Sequence, residues 1–202
     1  MKILVGCEYS GIIRDAFISA GHDAVSCDLI QSESPGPHII GDVLEVVQKD
    51  HWDLIIIHPP CTALSLSGNG TYAKGKPGYT KRLEAIKWTT HLWEVCKSHA
   101  DRVCLENPLG VLHTQSHLPK PQYVQPYQFG HKEKKKTGLY LHNLPQLVET
   151  NNVEEDMLKL SKQEINKNYL LSPQPDRAKI RSKTYTGIAQ AMVNQWSNNY
   201  EE

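Results

Sequence analysis

Short apolar runs alternate with longer amphipathic stretches along the first half of the chain. The runs at residues 2–6, 23–27, 52–58 and 102–106 are rich in Val, Ile and Leu, and the third is nearly continuous. Such runs are typical of strands that are covered on both faces. Between them, residues 11–20 and 80–99 repeat apolar positions at helical spacing. Strands that alternate with helices predict a doubly wound, Rossmann-like α/β fold.

The two long helices have recognisable ends and inner faces. Ser10 is a suitable N-cap for the first helix, and Gly21 is a suitable stop. The apolar stripe of this helix comprises Ile12, Ile13, Ala16, Phe17 and Ala20. The inner face of the second helix is predicted to comprise Leu83, Ile86, Leu92, Val95 and Cys96.

The remaining segments are shorter or less regular. Residues 31–38 form a loop, residues 39–40 a short strand, and a brief helix follows Asp42. Residues 62–79 contain four glycines, which favours a mobile functional loop over a core element. Residues 138–142 predict an antiparallel strand at the sheet edge, residues 151–176 show no clear pattern, and residues 185–196 predict a helix. The apolar face of that helix comprises Ile188, Ala189, Met192, Val193 and Trp196.

Length and charge narrow the class of protein. The 202 residues fit one α/β domain with a small appendage. Lys plus Arg balance Asp plus Glu at 22 each, whereas a tight non-specific DNA binder is usually strongly basic. This balance counts mildly against unaided contact with a long duplex. The positive charge is nevertheless clustered, at residues 132–136 and 177–183.

The five cysteines predict a location. Their number is odd, their spacing is unpaired, and no signal peptide is recognisable, so we expect a reducing cytoplasm. No apolar run approaches a membrane span, and no Cys-x-x-Cys spacing suggests a metal site. Four of the cysteines are expected to pack in or beside core elements: Cys7, Cys27, Cys96 and Cys104.

Two motifs carry the candidate chemistry. Pro59-Pro60-Cys61 follows the strand at 52–58, and Glu106-Asn107-Pro108 ends the strand at 102–106. Ligands bind at the carboxyl ends of strands in an open α/β sheet. A thiol and a carboxylate at that edge suit covalent attack on an electron-poor ring. We expect partial burial to raise the pKa of Glu106 and make it a proton donor near neutrality.

Further motifs make the chain resemble the C5-cytosine DNA methyltransferases, in particular their short phage-type versions. The motifs occur in the family's order: Cys7-Glu8-Tyr9-Ser10-Gly11-Ile12, Asp28, Gly41-Asp42-Val43, Pro59-Pro60-Cys61, Glu106-Asn107-Pro108, residues 130–141 and Tyr185-Thr186-Gly187-Ile188-Ala189. The chain departs from the family pattern at three places. Only Gly11 remains of the glycines in the cofactor turn, and lysines with a threonine replace the paired arginines. Ile188 stands where the family has an asparagine.

The resemblance implies a Rossmann-like fold that uses S-adenosylmethionine. It assigns catalysis to Cys61, Glu106 and Lys135. It assigns cofactor binding to Cys7, Glu8, Tyr9, Ser10, Gly11, Asp28, Leu29, Asp42, Val43, Pro59 and Ile188, and substrate binding to Pro60, Ser65, Asn107, Lys134 and Lys136. Asp28 and Asp42 also fit plain roles as a turn or helix cap. His58 either packs or lines the pocket.

The resemblance also implies a partner and a domain plan. The partner is DNA, with the target cytosine flipped out of the duplex and loop 62–79 closing behind it. Residues 143–183 stand where the family has a target-recognition domain, and residues 184–198 form a closing helix. Because this insert is short, we expect shallow sequence specificity and steep salt dependence. The oligomeric state stays open, and the location would be host cytoplasm if the chain is phage-encoded.

Other functions stay open. The same scaffold can methylate single-stranded nucleic acid or a free nucleotide. It can also methylate an exocyclic amine, since His58-Pro59-Pro60-Cys61 stands where those enzymes have Asp-Pro-Pro-Tyr. A different class is a non-catalytic, phage-encoded nucleic-acid-binding protein that retains the fold.

Overall fold

The computed structural model describes residues 1–172 and 174–197, with the backbone alone for Ala178. Its strands are β1 (Lys2–Gly6), β2 (Asp23–Asp28), β3 (His38–Ile40), β4 (Trp52–Ile57), β5 (Ala100–Pro108), β6 (Gln122–Val124) and β7 (Thr137–His142). Its helices are α1 (Ile12–Ser19), α2 (Val43–Val47), α3 (Asn69–Tyr72), α4 (Tyr79–His99), α5 (Leu112–Gln115), α6 (Glu154–Leu158), α7 (Lys162–Ile165), α8 (Arg177–Ser182) and α9 (Thr186–Trp196).

The strands form one seven-stranded sheet in the order β3-β2-β1-β4-β5-β7-β6. The first five are parallel, and β7 pairs antiparallel with both β5 and β6. The strand order reverses beside β1, between β1 and β4, and such a switch point is where open α/β sheets bind ligands. The predicted Rossmann-like fold is therefore confirmed.

A hydrophobic core lies on each face of the sheet. One core joins α2 and α4 to the sheet through residues such as Val46, Leu92 and Trp93. The other joins α1 and α9 through residues such as Phe17 and Trp196. Leu54, Ile55, Ile56 and Ile57 of β4 are all fully buried, so the apolar run of this strand is continuous because helices cover both of its faces.

Helix α4 buries Ile86, Leu92 and Cys96 as predicted, but Leu83 near its start is exposed, because a charged residue faces inward there instead. Leu83 is 47% exposed, whereas Arg82 is 3% exposed. Arg82 donates through Nε to the Ala63 carbonyl at 2.7 Å and through Nη2 to the Ser65 carbonyl at 3.2 Å. The guanidinium is buried because the preceding segment supplies its acceptors, and this pairing turns Leu83 to the surface.

Three other predictions need correction, and two segments for which no helix was predicted contain short helices. Ser10 is not the N-cap of α1; Gly11 occupies that position with φ 76°. Ala20 is exposed, and the fully buried Arg14 lies on the inner side instead. Strand β7 is not the edge strand, because β6 pairs outside it. Residues 62–79 contain a 3-10 turn at Leu66–Gly68 and helix α3, and residues 151–176 contain α6 and α7.

Candidate active site

The register of the central strands brings three chemical side chains to one level of the sheet. Gly6 is paired with Ile57, and Ile57 with Leu105. The next residues along these strands are Cys7, His58 and Glu106, which therefore emerge side by side at the carboxyl edge. The strand residues before them are buried in the core, whereas Cys7, His58 and Glu106 themselves line the cavity at the end of the strands.

The nucleophile loop, defined here as Pro59-Pro60-Cys61, is fixed to strand β5 by Asn107. Its amide nitrogen donates to the Pro59 carbonyl at 3.0 Å, and the side chain is 1% exposed. The Cys61 carbonyl then accepts from the Leu64 and Ser65 amides at 3.0 and 2.9 Å, which closes a turn directly after the thiol. Asn107 was expected to bind substrate, but it is buried behind the loop and positions Cys61 instead.

His58 and Glu106 form a pair within the site. His58 Nδ1 lies 3.1 Å from Glu106 Oε2, and both side chains are mostly buried. Burial alone would raise the pKa of Glu106. The hydrogen bond and charge of His58, the charge of Lys135 and a hydrogen bond with Thr137 outweigh burial, so the pKa lies below its usual value. The expectation of a raised pKa for Glu106 is therefore wrong.

The Cys61 thiol is held largely in its protonated form. Burial raises its pKa first, and the Glu106 carboxylate raises it further. Lys135 and Arg181 act in the opposite direction. Since the thiolate is the nucleophile, these cations are the groups in the site that favour the reactive form. Lys135, expected to be catalytic, thus acts electrostatically on both Cys61 and Glu106.

A cavity of about 1260 Å³ lies above this row of residues. Twelve of the expected site residues line it: Cys7, Glu8, Tyr9, Ser10, Pro59, Pro60, Cys61, Ser65, Glu106, Lys134, Lys135 and Lys136. Gly11, Asp28, Leu29, Asp42, Val43, Asn107 and Ile188 do not line it. The thiol, the carboxylate and the β1–α1 turn therefore share one cavity, whereas the expected adenine and ribose contacts lie outside it.

Two carboxylates and seven cations line the cavity. The carboxylates are the buried Glu8 and the mostly buried Glu106. The cations come from two separate segments: Lys134, Lys135, Lys136, Arg177, Lys179, Arg181 and Lys183. Lys135 Nζ donates to the Lys183 carbonyl at 3.1 Å, so the two basic segments are in contact. This arrangement suits a ligand with a polar ring at one end and phosphate at the other.

The β1–α1 turn is organised by Glu8, which is buried. Its carboxylate accepts from the amides of Ile13 at 2.8 Å and Arg14 at 3.4 Å, at the amino end of α1. These are helix donors that would otherwise lack a partner. Burial raises the pKa of Glu8, and the charge of His58 and these bonds oppose the rise. Glu8 therefore does the capping that Ser10 was expected to do.

The outer part of the same sheet edge carries the residues expected to contact the cofactor's adenosine. Asp28 ends β2, and Leu29 beside it is 74% exposed. Burial first, and then the charges of Asp28, Cys27 and Asp42, raise the pKa of Cys7 to about 12, so both carboxylates act on this thiol. Carboxylates for ribose or amine donors and an exposed apolar side chain for a ring face are what adenosine requires.

Asp42 has a structural task as well. Its carboxylate accepts from the Leu44 amide at 2.8 Å and caps α2. Val43 is buried, and a Cβ on Gly6 would lie 2.6 Å from its Cγ2. Val43 thus packs against the end of β1, and Asp42 combines the cap with a position near Cys7.

The closing segment packs on the site from below. Ile188 is 5% exposed and lies with Glu106 and Lys135 around a small void. A Cβ on Gly187 would lie 1.9 Å from the Phe129 carbonyl oxygen. The glycine is required by this close approach of two backbones. Ile188 supports the catalytic row from the core.

Sequence reasoning placed three contributors to the site only in part or not at all. His58 lies beside Pro59-Pro60-Cys61, so its titratable ring near the candidate thiol was a usable signal. The basic cluster at residues 177–183 was visible as charge, but its place at the cavity in α8 and the burial of Arg82 depend on distant partners. The backbone carbonyl of Lys179 in α8 accepts a hydrogen bond from the Tyr9 hydroxyl at 2.6 Å, and 170 residues separate the two partners.

Two structural findings bear on other classes of protein. Within residues 1–172 and 174–197, no group of three or more His, Cys, Asp or Glu side chains is arranged to hold a metal ion. No helix in the same part of the chain is both long and apolar enough to cross a membrane.

No family model and no curated protein matches the chain. Solved structures that resemble it include the Entamoeba histolytica methyltransferase EhMeth, at 13% identity and a TM-score of 0.49 over 75% of this chain and 57% of that one. A Spodoptera frugiperda DNMT2 mutant has 16% identity and a TM-score of 0.42 over 75% and 54%. The bifunctional kinase-methyltransferase WbdD has 15% identity and a TM-score of 0.43 over 73% and 36%. The chain spans 36–57% of the length of these chains.

Proposed function

We propose that the chain transfers a methyl group from S-adenosylmethionine to C5 of a cytosine in nucleic acid, through a covalent adduct with Cys61. The observation that carries the proposal is the shared cavity of Cys61 and Glu106, with Lys135 close enough to influence the pKa of both. Covalent attack on a pyrimidine needs a nucleophile, a group that hydrogen-bonds a ring nitrogen, and a cation that favours the thiolate.

Each residue has a defined task in this reaction. The Cys61 thiolate attacks C6 of the ring, while the Glu106 carboxyl group hydrogen-bonds N3 and the exocyclic amine. Bound at Asp28, Leu29 and Asp42, S-adenosylmethionine supplies an electrophilic methyl group. After methylation, C5 loses its proton to water, the sulfur–C6 bond breaks, and Cys61 leaves as the thiolate. Asn107 and the turn after Cys61 hold the sulfur in place throughout.

Helix α8 and the segment before it line the cavity, and their residue types indicate which substrates fit. Arg177, Lys179 and Arg181 of α8 line the cavity, and so do Asn168, Tyr169 and Gln174 of the preceding segment. These residues belong to the short insert that stands in place of a recognition domain. A lining of cations and amides favours phosphate contacts, which position a substrate without reading its sequence. DNA with a flipped cytosine is the proposed substrate, and this lining also favours single strands or a nucleotide.

Trapping the adduct tests the proposal. We expect 5-fluorocytosine in duplex DNA, single-stranded DNA or the free deoxynucleotide to form a stable adduct in the presence of cofactor, because fluorine at C5 blocks release of the enzyme. Cys61→Ser should abolish the adduct. Cys96→Ala is the matched control, since Cys96 is a buried cysteine of α4 that does not line the cavity and should be dispensable for the adduct. Methylated product without any adduct in the wild type would refute the covalent route, and methyl on the exocyclic amine would refute C5.

A further inference from the structure

The His58–Glu106 contact holds a proton between two groups that can both release it. A carboxylate oxygen accepts only, so a 3.1 Å contact with a ring nitrogen requires a proton from one of the two partners. Either the ring donates its Nδ1–H to the carboxylate, as the imidazolium or as a neutral tautomer, or the carboxyl group donates to the neutral ring. The two groups therefore share one hydrogen, and the protonation of each depends on the other.

The surroundings of the ring fit exchange of this proton. His58 lines the cavity, its side chain is 10% exposed, and its Nε2 is buried without a hydrogen-bond partner within the described residues. Charged or titratable groups face the pair from several elements: Glu8 from the β1–α1 turn, Cys61 from the nucleophile loop, and Lys135 from the segment before β7. Lys135 and the imidazolium both favour an ionised Glu106 in the resting site.

An ionised Glu106 creates a problem for the reaction proposed above. The N3 atom of neutral cytosine is an acceptor, and a carboxylate offers it no proton. Attack by Cys61 on C6 pushes electron density onto N3, so the adduct forms readily only if N3 gains a proton. A donor must therefore return a proton to Glu106, and the His58 ring is in contact with it.

We propose that His58 is a positioning residue that orients Glu106 and stores the proton that Glu106 passes to the pyrimidine ring. This rests on the proposed function. The Nδ1 proton of the His58 imidazolium first moves to the Glu106 carboxylate, which leaves a neutral imidazole. As the sulfur–C6 bond forms, this new O–H bond of Glu106 breaks, an N3–H bond forms, and Glu106 is again a carboxylate. When Cys61 departs, the N3 proton returns to the pair by the same path.

Two variants separate proton storage from orientation. His58→Asn keeps a donor near the position of Nδ1 but cannot take up or release a proton, and His58→Ala removes both functions. His51→Asn is the matched control, since His51 forms an exposed pair with Asp101 at 2.9 Å. We expect His58→Asn to lower kcat at least tenfold at neutral pH, with KM little changed, and His58→Ala to lower it further. Full wild-type kcat and an unchanged pH profile in His58→Asn would overturn the proposal.

The pH profile supplies a readout that a structural role would not change. In the wild type, the alkaline fall of kcat/KM should coincide with the titration of His58 followed by NMR. In His58→Asn it should coincide with the titration of the Glu106 carboxyl carbon. If the wild type transfers no methyl group, the proposed function fails. The pairing is then still tested by the carboxyl titration alone, and an unmoved Glu106 midpoint in His58→Ala would refute the pairing.

Discussion

The Tyr9 hydroxyl donates to the Lys179 carbonyl at 2.6 Å and lies 3.2 Å from Ser182 Oγ. This contact joins the β1–α1 turn to α8, and the Lys183–Glu33 ion pair at 2.5 Å joins the end of α8 to the loop between β2 and β3. The two ties hold α8 at the cavity, where its cations lie. Because each tie is a small interaction, we expect α8 to detach from the cavity at low cost.

Tyr9→Phe should loosen α8 without disturbing the fold. Loss of one hydrogen bond worth about 0.5–1.5 kcal/mol corresponds to a roughly 2- to 12-fold rise in the open population. Trypsin cleavage after Lys179 and Arg181 should accelerate by that factor, since proteolysis of a segment follows its open population. Tyr140→Phe is the control, because Tyr140 is a buried core residue. Equal cleavage rates in wild type and Tyr9→Phe would mean that the bond does not hold α8.

The reactivity of Cys61 should respond in opposite directions to its two charged neighbours. Burial and Glu106 raise the pKa of the thiol, and Lys135 lowers it. Little thiolate is therefore present at neutral pH, and alkylation by iodoacetamide should accelerate as the pH rises. Glu106→Gln removes a raising charge and should speed alkylation at pH 7, whereas Lys135→Met should slow it. Each unit of pKa changes the thiolate fraction about tenfold.

Mass spectrometry of the Cys61 peptide measures this rate at several pH values. Cys104 serves as an internal reference, because it is fully buried and its pKa is raised well above the ordinary value. If the alkylation rate of Cys61 changed in the same direction in both variants, the cause would be altered access of iodoacetamide to the thiol and not the charge of its neighbours.

The candidate adenosine site should be sensitive to both of its carboxylates. Asp28→Ala and Asp42→Ala should each weaken S-adenosylmethionine binding by about 1–3 kcal/mol, the cost of leaving a buried polar partner unsatisfied. Asp42→Ala should also destabilise the fold by about 1 kcal/mol, because Asp42 caps α2. Asp42→Ser keeps a cap and should restore stability but not affinity. Titration calorimetry and urea unfolding separate the two effects, and unchanged affinity in Asp28→Ala and Asp42→Ala would place the ligand elsewhere.

The parts of the fold that follow from the sequence are those with local signals. Strand β4 was predictable because its apolar run is continuous, and α9 because Ile188, Met192 and Trp196 recur on one face. Strand β6 was not, since three residues in a proline-rich stretch carry no period. The exposure of Leu83 was hidden as well, because the guanidinium of Arg82 is buried only through carbonyls 19 and 17 residues earlier in the chain.

The site shows the same division. The chemistry of Cys61 and Glu106 was readable from the motifs, because residue type and strand end are local features. The charge of Glu106 was not readable, since it depends on His58, which is 48 residues away. Burial suggested a raised pKa, and a contact across the sheet reverses it. The position of α8 depends likewise on Tyr9, at the other end of the chain.

Gly187 should be the least replaceable of the exposed or half-exposed glycines. It lies at the start of α9, where alanine ordinarily favours a helix by about 1 kcal/mol over glycine. Here a Cβ would lie 1.9 Å from the Phe129 carbonyl oxygen. This atom belongs to the backbone and cannot rotate away, so overpacking of roughly 1–3 kcal/mol should outweigh the gain in propensity.

Gly187→Ala should therefore lower the free energy of unfolding in urea, and the displaced α9 should reduce the support of Glu106 by Ile188. Gly70→Ala is the matched control: Gly70 lies in α3, and a Cβ there would meet nothing within 4 Å. It should leave stability unchanged or raise it by up to about 1 kcal/mol. If Gly187→Ala were as stable as Gly70→Ala, the backbones of α9 and Phe129 would not approach as closely as described. The requirement for glycine in the closing motif would then need another cause.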